Sequence, residues 1–205
     1  MLNLAKLAAA ELHREPFEYL LVDGVLSDEC KAGIVADFPP LNKGGSHLLS
    51  RLSYGAAFKQ LTDELLGPEF ASTVAAKFGI DLSPYPTMIT VRGWSDASDG
   101  QLHTDSKDKL ITVLLYLNPE WNRNGGKLRL LRSKNVDDYV AEVPPTMGSM
   151  VIFKRCDHSW HGFPSFEGKR LSLQMNWVKS DSYRRKERFR HEISSLMKGL
   201  VGRKA

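Results

Sequence analysis

KLITVLLYLNPEWNRNGGKLRLL (109–131) is the stretch whose reading decides the fold. Residues 109–118 are apolar, β-branched or aromatic, and read as a strand. Asn124-Gly125-Gly126 is the clearest turn in the chain and leads into a second strand at 127–132. Working outward, 88–92, 139–144, 149–154 and 169–178 are of the same kind, separated by Gly, Asn, Asp or Pro clusters. Many short strands at that spacing predict an antiparallel sandwich or barrel.

Upstream the texture is helical. Residues 17–26 form a strand running into a turn, and Ser27 with Asp28 and Glu29 caps a helix to about Asp37, stopped by Pro39 and Pro40. Residues 41–55 form a Gly- and Ser-rich loop, either a surface connection or a lid. Helices follow at 56–66 and 68–78, with Pro68 in a first turn. Leu4, Leu7, Ala8 and Leu12 share a helical face. Lys6, Glu11, His13, Arg14 and Glu15 interrupt this stretch, which therefore reads as an amphipathic helix of a cytoplasmic protein rather than as a signal peptide. At the other end Phe189, Ile193, Leu196 and Leu200 recur at helical spacing. The expectation is one domain, 1–205, mainly β with helices (α+β): a helical preface at 1–87, a core at 88–178 and a basic helical tail at 179–205.

Composition narrows the class. With 42% hydrophobic and 25% charged residues in 205, the chain is an ordinary globular one with a sizeable core. No apolar run approaches the roughly 20 residues of a membrane span. Cys30 and Cys156 are the only cysteines and read as buried, reduced thiols. The net charge of +4 is uneven: from Lys179 onward nine Lys or Arg face three Asp or Glu, so the tail carries +6 and the body −2. The basic character belongs to the tail, where a solvated helix face is the plain reading.

The chemistry lies between His103 and Arg170. His103 and Asp105, two apart in an extended segment, project to one side and can share an ion. A third ligand must come from a distant strand. His158 and His161 are the candidates, and being three apart they point to opposite sides. Gly162 permits close backbone approach beside His161, which favours His161 and leaves His158 near the site or partly exposed. His13, His47 and His191 have no catalytic role in this reading. Two histidines and one carboxylate make the facial set that leaves positions open on Fe(II). Arg170 heads the otherwise apolar strand LSLQMNW, where a buried guanidinium is costly without an anion. It suits the far carboxylate of 2-oxoglutarate bound at two of the open positions.

Residues 88–178 resemble the Fe(II)- and 2-oxoglutarate-dependent dioxygenases, within them the prolyl-4-hydroxylase-like branch. The resemblance rests on H-x-D at 103–105, LYLN at 115–118, GGKLRL at 125–130 and HGFP…GKR from His161 to Arg170. It implies a double-stranded β-helix, or jelly roll, preceded by helices. It also implies Tyr116 as a hydrogen-bond partner of the co-substrate carboxylate and Leu128 as a wall of its pocket. Gln174 and Asn176 stand where animal oxygen-sensing prolyl hydroxylases carry Thr and Trp. Asp105 is retained, unlike in halogenating members, and Asn176 replaces the second arginine of nucleic-acid-demethylating relatives.

The implied activity is hydroxylation of a C–H bond of a peptidyl proline or a small metabolite. The resemblance implies Fe(II), 2-oxoglutarate and O2, with ascorbate as an optional reductant, and release of succinate and CO2. The partner is a small-molecule or peptide substrate, without membrane and, despite the tail, without nucleic acid. The rival readings are a catalytically silent jelly-roll binding module and a nucleic-acid-directed oxygenase using the basic tail. Substrate choice is expected from residues 42–55 and 94–101, with Arg92, Trp94 and Trp160 at the entrance.

Overall fold

The computed structural model describes residues 1–185. Two antiparallel sheets face each other. The larger has the order β1-β7-β4-β9-β3-β2 and the smaller β6-β5-β8. In chain order these strands are β1 (Tyr19–Val22), β2 (His47–Leu48), β3 (Thr87–Ser95), β4 (Lys109–Tyr116), β5 (Leu128–Leu131), β6 (Tyr139–Val143), β7 (Met150–Lys154), β8 (Trp160–Gly162) and β9 (Gly168–Val178). The helices are α1 (Leu4–Ala9), α2 (Asp28–Ala36), α3 (Ala56–Leu66) and α4 (Pro68–Phe78). This is the expected jelly roll with helical support, mainly β.

The period-2 alternation of β4 explains how the layers hold together. Ile111, Val113 and Leu115 face the helices, packing in one core with Leu173, Met175, Trp177, Phe58, Leu65 and Phe70. Tyr116 faces the other way, into a second core with Leu128, Leu130, Val151 and Phe153 between the sheets. A strand buried on both faces reads as a continuous apolar run, as 109–118 does. Trp177 stacks on Phe70 with ring centroids 6.2 Å apart, joining β9 to α4. Losing that indole would cost about 3–5 kcal/mol.

Local signals in the sequence are met with some corrections. Pro68 begins α4, and Gly79, at φ 61°, ends it in the left-handed region that glycine adopts without strain. Ser27 sits extended at the cap of α2 but makes no side-chain cap hydrogen bond; its hydroxyl turns to the Cys30 sulfur at 3.5 Å. The 41–55 stretch is not wholly loop. His47 and Leu48 pair with Val91 and Thr90, and a 3-10 turn follows at Leu49–Arg51. Gly44 bridges Trp94 because a side chain there would strike the Asp96 carboxyl. Asn124-Gly125-Gly126 does not close a hairpin with β4. It carries the chain from one sheet to the other, where β5 pairs with β6 and β8.

Cys30 and Cys156 are free and half-buried rather than buried. Leu12 lies beyond α1, which ends at Ala9. Among the described residues no helix is long and apolar enough to cross a membrane. Residues 181–185 are helical; the rest of the expected tail helix, with Phe189, Ile193, Leu196 and Leu200, lies outside the described residues.

Candidate metal and co-substrate site

Between the sheets lies a cavity of about 420 Å³, lined by the inner faces of β3, β4 and β9 and by the 100–106 segment. Among the described residues one group of three His, Cys, Asp or Glu side chains can hold a metal ion: His103, Asp105 and His161, with ligand atoms within 4.8 Å of one another. The H-x-D segment is not a strand as expected. It is irregular and is tied down by an isolated bridge between His103 and His161. The backbones, not the pleat of a strand, bring these residues together.

The two imidazoles are set in the same way. His103 Nδ1 lies 2.8 Å from the Gln101 carbonyl, and His161 Nδ1 lies 3.0 Å from the Ser159 carbonyl. A carbonyl oxygen only accepts, so each Nδ1 carries the proton and each Nε2 keeps its lone pair for a metal. Burial disfavours the charged imidazole of His161 and, with His103 beside it, outweighs the pull of Asp105, so its pKa falls to about 4. It is neutral at physiological pH, as a ligand must be. His158 is exposed on the turn before β8 and takes no part.

Asp105 is 5% exposed. Burial alone would raise its pKa, but the Lys109 ammonium, His161 and hydrogen bonds from Lys109 and Thr112 overcome this and hold it at about 2. Lys109 Nζ donates to Oδ1 at 2.7 Å and Thr112 Oγ1 to Oδ2 at 2.6 Å. Arg155 Nε holds the Asp105 backbone carbonyl at 3.0 Å. Sequence reasoning missed all three. The one available signal was Thr112, the lone aliphatic hydroxyl in β4, on the same parity as Tyr116.

Arg170 is 4% exposed on the inner face of β9. Its Nε donates to the Gly126 carbonyl at 2.9 Å and its Nη2 to the Tyr116 hydroxyl at 3.4 Å. The guanidinium lies 4.2 Å from the Phe163 ring centroid and 5.0 Å from that of Tyr116. It forms no ion pair with an acidic side chain of the described residues, and burial lowers its pKa. Burial also raises that of Tyr116. A desolvated cation with donors to spare is a receptor for a carboxylate. Leu128 lines the same cavity, as do Arg92 and Trp94, with Arg92 in an ion pair to Asp99 at 3.2 Å. Trp160 does not: it precedes the inward-facing His161 on β8, so alternation sends it outward, where Lys134 Nζ lies 5.7 Å from its ring.

Residues 92–179 match the model of the 2OG-Fe(II) oxygenase superfamily. No curated protein matches the chain by sequence. Among solved structures, a Pseudomonas putida prolyl-4-hydroxylase superposes with a TM-score of 0.58 at 16% identity, over 86% of this chain and 97% of that one. The collagen prolyl hydroxylase of Paramecium bursaria Chlorella virus-1, in its 2OG complex, gives 0.53 at 18%, over 78% and 96%. A 2OG-Fe(II) oxygenase family oxidoreductase from Burkholderia pseudomallei gives 0.58 at 13%, over 87% and 91%. At these identities the likeness establishes the fold, while the matched segment contains His103, Asp105, His161 and Arg170. The donor set fits iron: two imidazoles and an ionised carboxylate offer ligand atoms within 4.8 Å of one another. Residues 92–179 thus resemble the 2OG-Fe(II) oxygenase superfamily, and on that match, the donor cluster and a fold like that of the prolyl-4-hydroxylases the protein is an oxygenase that works with Fe(II), 2-oxoglutarate and O2.

Proposed function

We propose that this oxygenase hydroxylates a C–H bond of a peptidyl proline or a small metabolite and releases succinate and CO2. His103, Asp105 and His161 hold Fe(II), Arg170 and Tyr116 hold the far carboxylate of 2-oxoglutarate, and Leu128 packs beside it. The observation that carries this reading is the pairing of a three-donor cluster with a buried arginine that lacks an acidic partner, in one cavity. When bound, Fe(II) supplies the O2 chemistry that side chains cannot. Of the two oxygen atoms of O2, one leaves in succinate and the other in the hydroxylated product.

The protein's own part is binding, orientation and charge. His161 presents Nε2 without first losing a proton, and Asp105 is ionised down to about pH 2. Arg170 neutralises the co-substrate at a depth that a solvated lysine would not reach, and the Phe163 ring shields it from water. The fold likeness to prolyl hydroxylases supports peptidyl proline as a first substrate class. The cavity's size and its polar lining by Thr90, Arg92 and Gln174 suit a small metabolite equally well. In this reading 1–205 is a single domain, and the free thiols suit a reducing cytoplasm.

The test is succinate release with Fe(II) and 2-oxoglutarate, screened against proline peptides, free amino acids and metabolite mixtures. Wild-type protein turns over with at least one of these classes, while His103→Ala and Asp105→Ala, checked for retained fold by circular dichroism, do not. Equal turnover in those variants would remove His103 and Asp105 from the role assigned to them.

A further inference from the structure

Two polar side chains on the inner face of β9, Gln174 and Asn176, hold neither the metal nor the co-substrate in the site as built so far. Gln174 and Asn176 alternate with Leu173 and Met175, which face the helical core. Asn176 is 1% exposed and lies directly opposite Thr112 in the β4–β9 register. Gln174 Nε2 donates to Asn176 Oδ1 at 3.1 Å, Asn176 Nδ2 donates to Thr112 Oγ1 at 2.8 Å, and Thr112 Oγ1 donates to Asp105 Oδ2 at 2.6 Å.

The row has a fixed direction. An ionised carboxylate only accepts, so Thr112 commits its single proton to Asp105 and must accept from behind. The Asn176 amide supplies that donor, which turns its oxygen toward Gln174. The Gln174 amide fills that oxygen in turn. Each link sets the orientation of the next, and reversing any of them would leave a buried polar group unpaired. On the other carboxylate oxygen sits Lys109. A carboxylate offers about four acceptor positions, so these two contacts leave it able to take a metal.

We propose that Thr112, Asn176 and Gln174 are positioning residues, a one-way hydrogen-bond relay that holds the Asp105 carboxylate where it completes the donor set with His103 and His161. The proposal rests on the iron-binding reading of that site. The amide row does in the sheet what outer hydrogen bonds do at metal centres generally: it fixes the ligand atom before the ion arrives.

Co(II) is the probe, titrated without oxygen into metal-free full-length protein and followed by its visible absorption and by calorimetry. Thr112→Val, which keeps the shape and loses the hydroxyl, weakens Co(II) binding by about 10- to 100-fold. Thr112→Ser restores the hydroxyl and binding close to wild type. Asn176→Leu gives a smaller loss and Gln174→Leu the smallest, since each lies one link further from the carboxylate. Far-ultraviolet circular dichroism and melting of the metal-free variants establish that they are folded. A folded Thr112→Val that binds Co(II) like wild type, or a Thr112→Ser as weak as Thr112→Val, overturns the relay while leaving the metal site standing. A wild-type chain that takes up no Co(II) overturns the metal reading itself and the relay with it.

Discussion

The backbones of His103 and His161 donate to each other's carbonyls, at 3.1 Å and 3.0 Å, so two residues 58 positions apart are held as one bridge with ring centroids 4.4 Å apart. The pair proposed to hold the metal is thus built by main-chain hydrogen bonds, and it is as rigid as the approach of the two segments allows. Gly162 sets that approach. A Cβ there would lie 2.6 Å from the Gly100 carbonyl oxygen and 3.1 Å from the Leu102 Cα.

Gly162→Ala therefore pushes the 100–103 segment away from β8. The expected cost is about 1–3 kcal/mol of stability, as for other overpacked sites, together with weakened Co(II) binding. Chemical denaturation and metal titration of the same variant measure both. A variant with wild-type stability and affinity would mean that the bridge yields without consequence.

Arg170→Met should separate stability from function. The wild-type guanidinium is buried without an acid to pair with, and replacing such a cation by an apolar side chain of similar length is often neutral or stabilising. The melting temperature of metal-free protein is expected to stay level or rise. Affinity for 2-oxoglutarate should fall by roughly 30-fold or more, the range for removing a buried charged partner. A marked fall in melting temperature would instead assign Arg170 mainly to holding the Gly126 carbonyl.

The pH dependence of metal-free stability follows from His161. Its folded-state pKa is lowered to about 4 from 6.5, chiefly by burial. Between those values the unfolded chain binds a proton that the folded chain refuses. Stability is therefore fully present above about pH 6.5 and is lost as pH falls toward 4, by on the order of 3 kcal/mol for a shift of this size. Asp105, lowered to about 2, extends the loss below the ordinary carboxylate range of about 3.9. Urea unfolding across this range, compared with His161→Asn, checks the assignment. A slope that persists in His161→Asn between pH 6.5 and 4 would place its origin elsewhere.

Asn118, the last residue of LYLN, is structural. Its Nδ2 donates to the carbonyls of Pro145 at 2.5 Å and Leu171 at 3.2 Å, and its Oδ1 accepts from the Leu171 amide at 2.8 Å. Asn118→Ala leaves these buried main-chain groups unpaired and should cost about 2–3 kcal/mol. A loss within experimental error in equilibrium unfolding would show that water replaces the side chain there.

The longer strands, the two long helices and the His, Asp and His residues that cluster in the cavity were legible in the sequence. Alternation, proline and glycine punctuation and residue chemistry are local properties, and Ala56–Leu66, Pro68–Phe78 and the β4 and β9 runs were all legible from them. The separation of His158 and His161 said that only one of them faces the site, and Gly162 beside His161 favoured that one. What only the tertiary structure decided is whatever depends on pairing between distant segments. The H-x-D segment is irregular because its partner is a bridge 58 residues away. The 124–126 turn changes sheets because β5 finds β6 and β8, and the loop at 41–55 yields an edge strand because β3 has an open side. Asn176 backs Thr112, which donates to Asp105, because the β4–β9 register sets Thr112 and Asn176 face to face. A register is a relation between strands, and no window of sequence contains it.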